Sequence, residues 1–328
     1  MKLLITGCFG FIGFNFTTSL LEGSEFEIIG IDSLESSCSI KNSQILTENK
    51  NFTFINEPIN NINELNLNSV DAVINFAAET HVDNSIFRPE KFVSSNVSGF
   101  VEVLKFCHLN DVNKIIHIST DEVYGSNEDN YSIESDNFNP SSPYSASKAA
   151  AELMAISYMK TYGLKITIAR PANNFGIFQQ PEKLIPYSIA NLLNNKNIEL
   201  YGDGKNIRHW LHVDDTTSAI KLLLEQPPES EIYNIGSGFY LNNLEVSQKI
   251  VSELSLSDSR ITFVKDRPAH DFRYAVNFEK LKNLGWSPKA DFDIEMSKIV
   301  HWYKENIDWW QNEYESILIN RSKRLDLT

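Results

Sequence analysis

The feature that most constrains this chain is a glycine-spaced turn that directly follows its first apolar run. The run KLLIT begins at Lys2, and Gly7, Gly10 and Gly13 follow it with G-x-x-G-x-x-G spacing. A strand, a tight turn and a helix in this order predict that phosphate groups bind at the positive end of the helix. The first glycine permits the turn, the second lets the backbone approach a pyrophosphate, and the third allows close helix–strand packing.

An acidic residue stands where a dinucleotide site expects one. The apolar run FEIIGI leads directly into Asp32, about 20 residues beyond the turn, where a carboxylate accepts hydrogen bonds from a ribose. Its charge would repel a 2′-phosphate, which favours NAD over NADP; a capping role for Asp32 is the alternative. We therefore predict NAD as the cofactor, bound by Gly7, Gly10, Phe11, Ile12, Gly13 and Asp32.

The first half of the chain alternates short apolar runs with helical stretches. Apolar runs begin at Lys2, Phe26, Ala72, Lys114 and Lys165, and helical patterns cover residues 11–21, 89–109 and 143–162. This alternation predicts a Rossmann-type α/β fold, with a doubly wound parallel sheet covered by helices on both faces.

The regular alternation of apolar runs and helical patterns ends near Gly176, where the loops become longer and the apolar runs become isolated. We expect an NAD-binding Rossmann domain over residues 1–175 and a smaller C-terminal α/β lobe, mainly for substrate binding, over 176–328. Segments near 207–236 are expected to return to the first domain. The charged tail beyond Tyr314 is expected to fray.

Charge and composition exclude several classes of function. The chain has 29 Lys and Arg against 43 Asp and Glu, a net charge of −14, which argues against a nucleic-acid partner. No apolar run approaches the roughly 20 residues of a membrane span. Cys8, Cys38 and Cys107 are too few and too scattered for a disulfide framework or zinc site. The histidines also lack metal-ligand spacing, so we expect no metal. The few cysteines and the lack of a membrane span or a signal-peptide cleavage site predict a cytoplasmic location.

A tyrosine and a lysine one helical turn apart indicate a candidate catalytic pair. Tyr144 and Lys148, in YSASK, lie on the same face of a predicted helix. A lysine beside a tyrosine is expected to lower the phenol pKa, so that the phenolate can deprotonate an alcohol during hydride transfer. Such a spacing is common on surface helices, but after a dinucleotide turn it favours catalysis.

Longer stretches carry a resemblance to a known family. The chain resembles the extended short-chain dehydrogenases/reductases, the NAD-dependent epimerases and dehydratases, over roughly residues 1–310. Within them it is most similar to the nucleotide-sugar 4,6-dehydratases, typified by dTDP-glucose 4,6-dehydratase. The matching stretches include AAETHVDNSI, ISTDEVYG, SSPYSASKA, PEKLIP, IRHWLHVDD and DRPAHDFRY.

The resemblance implies a catalytic set. Tyr144, assisted by Lys148, would deprotonate the 4-hydroxyl of a hexose while NAD is reduced, and Thr120 would hydrogen-bond the 4-oxygen. Asp121 would act as the acid for the departing 6-hydroxyl and Glu122 as the base at C5, with NAD restored at the end. Thr120, Asp121 and Glu122 could alternatively cap the loop after their strand.

The resemblance also implies the binding residues. Ile59, Ala77 and Ala78 would contact NAD, and a sugar nucleotide would be contacted by His81, Asn173, Lys183, Arg208 and His270. The chain departs from the family at Pro58, where an aspartate usually meets the adenine. The helical patterns at 89–109 and 143–162 resemble the family's dimer-forming pair, so a homodimer is expected.

Alternatives remain at this point. The substrate base is not determined; dTDP-glucose is the first expectation and UDP-glucose the second. A 4-epimerase or decarboxylase of the same family would not need both Asp121 and Glu122. A non-catalytic NAD-binding regulator would be expected to have lost the Tyr144–Lys148 pair, which is intact here.

Overall fold

The computed structural model describes residues 1–23, 25–35, 39–67 and 69–325, with side chains described to residue 319. The predicted thiol Cys38 lies outside the described residues. The strands are β1 Lys2–Thr6, β2 Glu27–Asp32, β3 Phe52–Asn56, β4 Ala72–Asn75, β5 Ile115–Ile118, β6 Ile166–Pro171, β7 Asn173–Phe175, β8 Ile198–Tyr201, β9 Ile207–His212, β10 Glu231–Ile235, β11 Tyr240–Asn242 and β12 Ile261–Val264. The helices are α1 Phe11–Leu21, α2 Ile40–Thr47, α3 Val82–Phe87, α4 Pro89–Phe92, α5 Phe100–Leu109, α6 Pro143–Tyr162, α7 Leu184–Leu193, α8 Val213–Glu225, α9 Asn243–Glu253, α10 Glu279–Lys282, α11 Phe292–Glu305 and α12 Ile307–Leu325.

A seven-stranded sheet in the order β10-β6-β5-β4-β1-β2-β3 forms the centre of the fold. Each neighbouring pair is parallel, which confirms the predicted Rossmann-type α/β class. The strand order reverses between β1 and β4, and ligands bind in the crevice at such a switch point. The five strands predicted in the first half are present, whereas the sequence pattern missed β3, a short edge strand of this sheet, and β7, which pairs outside it.

Helix α6 shows how local sequence produces the predicted elements. Ser142 and Ser145 form a reciprocal capping box, and Pro143 occupies the first turn. Gly163 ends the helix with φ 73°, a left-handed conformation that glycine adopts without strain. The helix predicted over 89–109 is continuous from α4 to α5, but its middle, Val93–Gly99, is a π-helical segment.

The second half of the chain builds smaller sheets and a separate apolar cluster. β11, β9 and β7 form a three-stranded sheet, and β12 pairs with β8. Of the segments expected to return near 207–236, α8 packs in the core of the main sheet and β10 joins its edge, whereas β9 pairs with β7. The domain boundary at residue 175 stays a prediction.

The C-terminal segment is helical rather than frayed. α12 continues to Leu325, so the expectation of a frayed tail beyond Tyr314 is wrong as far as that residue. The cause is packing: Trp309, Trp310 and Tyr314 are buried in the same apolar cluster as Tyr303 of α11. Burial of several aromatic rings stabilises a terminal helix that its charged sequence alone would not. Over the described ranges, every helix is too short or too polar to cross a membrane.

Candidate active site

A cavity of about 410 Å³ opens where the carboxyl ends of β1, β4 and β5 meet the second half of the chain. It brings together most of the residues that the sequence singled out. Those that line it are Gly7, Gly10, Phe11, Ile12, Gly13, Asp32, Ala78, His81, Thr120, Asp121, Glu122, Tyr144, Lys148, Asn173, Lys183, Arg208 and His270.

Two expected cofactor residues are not among those lining the cavity. The side chain of Ile59 is buried in an apolar cluster beneath the sheet, where its methyl carbons pack against Gly99. Ala77 packs at the edge of the same cluster. Pro58 precedes them as the N-cap of a short 3₁₀ helix, Ile59–Glu64. The contacts of Ile59 and Ala77 with NAD stay predictions.

The glycine turn forms a cradle that side chains would fill. Gly7 has φ +67°, and a Cβ there would lie 2.6 Å from the backbone nitrogen of Ala77. A Cβ at Gly13 would lie 2.2 Å from the carbonyl oxygen of Gly7. At Gly10 the nearest protein atom would be 3.4 Å away, so its missing side chain leaves space at the N-terminus of α1. This geometry fits the pyrophosphate of NAD.

Asp32 stands at the end of β2 beside this turn. One carboxylate oxygen accepts a hydrogen bond from the Phe9 N–H at 3.0 Å and the other from the Leu34 N–H at 3.0 Å. Burial raises the carboxyl pKa, and these two N–H groups oppose the effect. The carboxylate is thus fixed at the cavity edge, where the ribose of a dinucleotide would lie.

Tyr144 and Lys148 project from the first turns of α6, and both are buried. The Lys148 ammonium donates to the Ile118 carbonyl at 2.6 Å, not to the phenol. Burial raises the Tyr144 pKa, and the charges of Glu122 and Asp121 raise it further. The expectation of a lowered phenol pKa is therefore wrong for the protein alone. Burial also lowers the Lys148 pKa to about 8.

Asp121 and Glu122 open a 3₁₀ helix, Asp121–Tyr124, directly after β5. Thr120 caps this helix by accepting a hydrogen bond from the Glu122 N–H at 3.2 Å, so the capping interpretation is also correct. It does not compete with catalysis, because all three side chains line the cavity. The loop geometry fixes two adjacent carboxyl groups at the carboxyl end of a central strand.

The two carboxyl groups lie in different electrostatic surroundings. Burial raises the Asp121 pKa well above its usual value, and the neighbouring Glu122 charge adds to the effect. Burial also raises the Glu122 pKa, but Arg267, Lys183 and Arg208 oppose it. Asp121 is therefore the group more readily protonated, and Glu122 the one more readily ionised.

Three cations surround the carboxyl pair. Lys183 donates to the Thr80 carbonyl at 2.7 Å, which links the N-terminus of α7 to the loop after β4. The Arg208 guanidinium lies 4.6 Å from the Tyr274 ring centroid. Arg267 forms an ion pair with Asp83 at 3.0 Å. An acidic protein thus concentrates positive charge at this cavity, as an anionic ligand requires.

Two further predicted residues present polar atoms here. His270 is hydrogen-bonded to Asp266 at 2.7 Å, and burial together with Arg267 lowers its pKa to about 4. It is therefore neutral near pH 7. The Oδ1 atom of Asn173 is buried and has no hydrogen-bond partner among the described residues. An unpaired buried acceptor that lines a cavity favours a ligand donor at that position.

Other polar residues of the cavity were not selected from the sequence. Among them are Asp83, Gln180, Tyr201, Arg267 and Tyr274. Arg267 and Tyr274 lie in DRPAHDFRY, one of the stretches that carry the family resemblance. Arg273 of the same stretch is directed elsewhere, with its guanidinium over the Tyr131 ring. His117, by contrast, is a buried core residue whose ring stacks on Phe100.

Known proteins resemble the chain over nearly its whole length. A family model described as GDP-mannose 4,6 dehydratase matches residues 4–299. The low-salt glycan biosynthesis protein Agl12 of Haloferax volcanii is 40% identical over 92% of this chain and 98% of its own. A dTDP-glucose 4,6-dehydratase of Actinoplanes is 37% identical over 94% of this chain and 100% of its own.

A solved structure agrees with these matches. DesIV, a dTDP-glucose 4,6-dehydratase from Streptomyces venezuelae crystallised with NAD, superposes with a TM-score of 0.93. It is 39% identical and is matched over 95% of this chain and 100% of its own. The architecture and the strand order described above are therefore shared with an enzyme that binds NAD.

Proposed function

The chain belongs to the GDP-mannose 4,6 dehydratase family, and from this premise we propose that it converts dTDP-glucose to dTDP-4-keto-6-deoxyglucose. It is an NAD-dependent nucleotide-sugar 4,6-dehydratase, a hydro-lyase within the extended short-chain dehydrogenases/reductases. The observation that carries the proposal is the pair of carboxyl groups beside Tyr144: one is more readily protonated, and the other is surrounded by cations.

Bound NAD supplies the hydride acceptor and a positively charged ring. Gly7, Gly10 and Gly13 would hold its pyrophosphate, and Asp32 its ribose. The protein's own task at C4 is to remove a proton. Tyr144 accepts the proton of the 4-hydroxyl as a phenolate, the form that the Lys148 ammonium and the positive ring of bound NAD would favour. Thr120, which hydrogen-bonds the phenol, also orients the 4-oxygen.

Water loss then uses the two carboxyl groups. A ketone at C4 makes the C5 proton acidic. Glu122 removes that proton, and Asp121, whose pKa burial raises, donates one to the departing 6-hydroxyl. Glu122 later returns a proton to C5 as C6 takes back the hydride that was removed from C4, so the cofactor ends unchanged. Arg267, Lys183 and Arg208 oppose the burial that raises the Glu122 pKa, and they thereby favour the ionised form that a base requires.

The diphosphate of the substrate requires cations that are already oriented. Arg208 donates to the Asp271 carbonyl at 3.1 Å, and its guanidinium is fixed over Tyr274. The planar fork of an arginine matches phosphate oxygens. We assign Arg208 and Lys183 to the diphosphate. Asn173, His81 and His270 are assigned to the remaining parts of the sugar nucleotide.

The substrate is tested by incubating the purified protein separately with dTDP-glucose, UDP-glucose, GDP-mannose and UDP-N-acetylglucosamine. Mass spectrometry should show loss of one water from dTDP-glucose at the highest rate. A faster reaction with another nucleotide would reject the dTDP assignment. An unchanged mass together with a new C4 epimer would instead support the epimerase alternative.

A homodimer is proposed for the assembly. The supporting observation is that α6 and the helical segment before it expose large apolar side chains, among them Val93, Leu153 and Tyr162. One chain has a mass of 37.4 kDa, and light scattering after size exclusion should give twice that mass. A monomer would refute this part of the proposal. A cytoplasmic location, expected from the cysteine count, stays a prediction.

A further inference from the structure

A buried ion pair lies behind the catalytic residues, and the mechanism above does not use it. Glu152 of α6 and Arg170 of β6 are 0% and 1% exposed, and the Arg170 Nη2 and Glu152 Oε2 atoms are 2.6 Å apart. The Arg170 Nε atom also donates to both carboxylate oxygens at 3.0 Å. Burying two charges costs so much desolvation that such a pair is weak evidence for stability. The Glu152–Arg170 pair is therefore expected to have a role other than stabilising the fold.

Glu152 contacts the residue just before the catalytic loop. The Ser119 hydroxyl donates to Glu152, and the Ser119 N–H donates to the Ala169 carbonyl at 2.7 Å. One turn earlier on α6, Lys148 donates to the carbonyl of Ile118. Two side chains of one helix thus bind consecutive residues of the chain, directly before Thr120.

Arg170 contacts the residue at the other end of the loop. Its Nη1 atom donates to the Tyr124 hydroxyl at 2.5 Å, and the guanidinium lies 4.8 Å from the centroid of that ring. The Tyr124 hydroxyl in turn donates to Asn234 of β10 at 2.8 Å. Tyr124 closes the short 3₁₀ helix that begins at Asp121.

From these contacts we infer that the Glu152–Arg170 pair positions Asp121 and Glu122. The pair holds Ser119 with its carboxylate and Tyr124 with its guanidinium, so both ends of the loop are bound to one rigid unit. Because Glu152 shares α6 with Tyr144 and Lys148, the same unit sets the distance between the base at C4 and the carboxyl groups that act at C5 and C6. Glu152 and Arg170 are positioning residues, since they act through Ser119 and Tyr124. The consequence for catalysis rests on the proposed dehydratase function.

The test removes the two ends of the connection and leaves the ion pair in place. Ser119→Ala and Tyr124→Phe each delete one hydroxyl, whereas a substitution of Glu152 would leave Arg170 unpaired and could prevent folding. Tyr233→Phe is the matched control, because Tyr233 is also buried and its hydroxyl donates to Glu229 at 2.7 Å. All three variants are compared with the wild type, each loaded with NAD.

We expect kcat to fall about 10- to 100-fold in Ser119→Ala and Tyr124→Phe, the range that a displacement on the order of 1 Å produces. KM should change less than about twofold. Incorporation of solvent deuterium at C5 should slow more than the single-turnover oxidation at C4. Tyr233→Phe should behave as the wild type. The inference would be overturned if Ser119→Ala and Tyr124→Phe both kept the wild-type kcat. It would also be overturned if C4 oxidation and C5 exchange slowed equally and the variants lost bound NAD.

A second measurement does not depend on turnover. Hydrogen–deuterium exchange should be faster for the peptide covering residues 119–125 in both variants, and unchanged for residues 143–162. An unchanged rate at 119–125 would overturn the inference even if the enzyme is active. If the wild type dehydrates no sugar nucleotide, the proposed function fails, and the exchange rates alone then decide whether the ion pair holds the loop.

Discussion

The glycine turn allows a prediction in which folding and cofactor binding separate. Gly10 has φ −66° and ψ 163°, which any residue adopts, and an added Cβ would meet its nearest protein atom at 3.4 Å. Gly10→Ala should therefore leave the cofactor-free protein as stable as before, or stabilise it by about 0.4–1 kcal/mol through the unfolded chain. Its methyl group would occupy the space through which the pyrophosphate must approach.

The expected loss is in NAD affinity. Overpacking a close contact by one carbon costs about 1–3 kcal/mol, which corresponds to about 5- to 150-fold weaker binding. Gly13→Ala is the matched comparison. There the Cβ would lie 2.2 Å from the Gly7 carbonyl oxygen, so the backbone must move. We expect a loss of on the order of 3 kcal/mol even without cofactor.

Two assays distinguish the variants. Thermal unfolding of the NAD-free proteins should give Gly10→Ala a midpoint within about 2 °C of the wild type, and Gly13→Ala one lower by about 4 °C. Titration calorimetry should then show weakened NAD binding in Gly10→Ala. If Gly10→Ala binds NAD with wild-type affinity, the pyrophosphate does not lie against this glycine, and the reasoning is refuted.

Two further predictions concern the catalytic groups. Glu122→Gln keeps the shape of the side chain but removes the base, so product formation should fall about 100- to 10,000-fold while oxidation at C4 persists. Mass spectrometry should find no solvent deuterium at C5. Normal dehydration by this variant would contradict the role of Glu122 as the base. Burial lowers the Lys148 pKa to about 8, so in the folded NAD-free protein the ammonium loses its proton at a lower pH than in the unfolded chain. The free-energy cost of burying a charged Lys148 therefore decreases as the pH rises above about 8. Relative to Lys148→Met, the wild type should gain about 2 kcal/mol of unfolding free energy between roughly pH 8 and 9.5, measured by denaturant titration; parallel pH profiles would show that Lys148 is not buried as a charged group.

Much of the fold could be predicted from the sequence, because its signals are local. The strands before Gly7 and Asp32 and the helix with Tyr144 are defined by apolar runs, glycine spacing and capping residues that lie close together in the chain. The edge strand β3 was missed because FTFIN is short and flanked by asparagines. The helical end of the chain was missed because its stability comes from aromatic packing against distant helices.

In the candidate site, too, some features follow from the sequence and others only from the fold. The sequence alone determines which chemical groups are present: a glycine turn, an aspartate after the second strand, a Tyr144–Lys148 pair and two adjacent carboxyl groups. Their surroundings depend on residues far along the chain. Arg267 pairs with Asp83 across 184 positions, and no local pattern records that contact.

Only the tertiary structure assigns properties to these groups. Asp121 and Glu122 are neighbours in the chain and both are buried, yet Arg267 and Lys183 oppose the effect of burial on the Glu122 pKa, whereas the Glu122 charge adds to it at Asp121. The phenol of Tyr144, expected from spacing to be acidic, is made less acidic by burial beside those carboxylates. The physical reason is that spacing along a helix determines which groups can meet, whereas a pKa depends on every charge and every excluded water around the group, and these come from the whole fold.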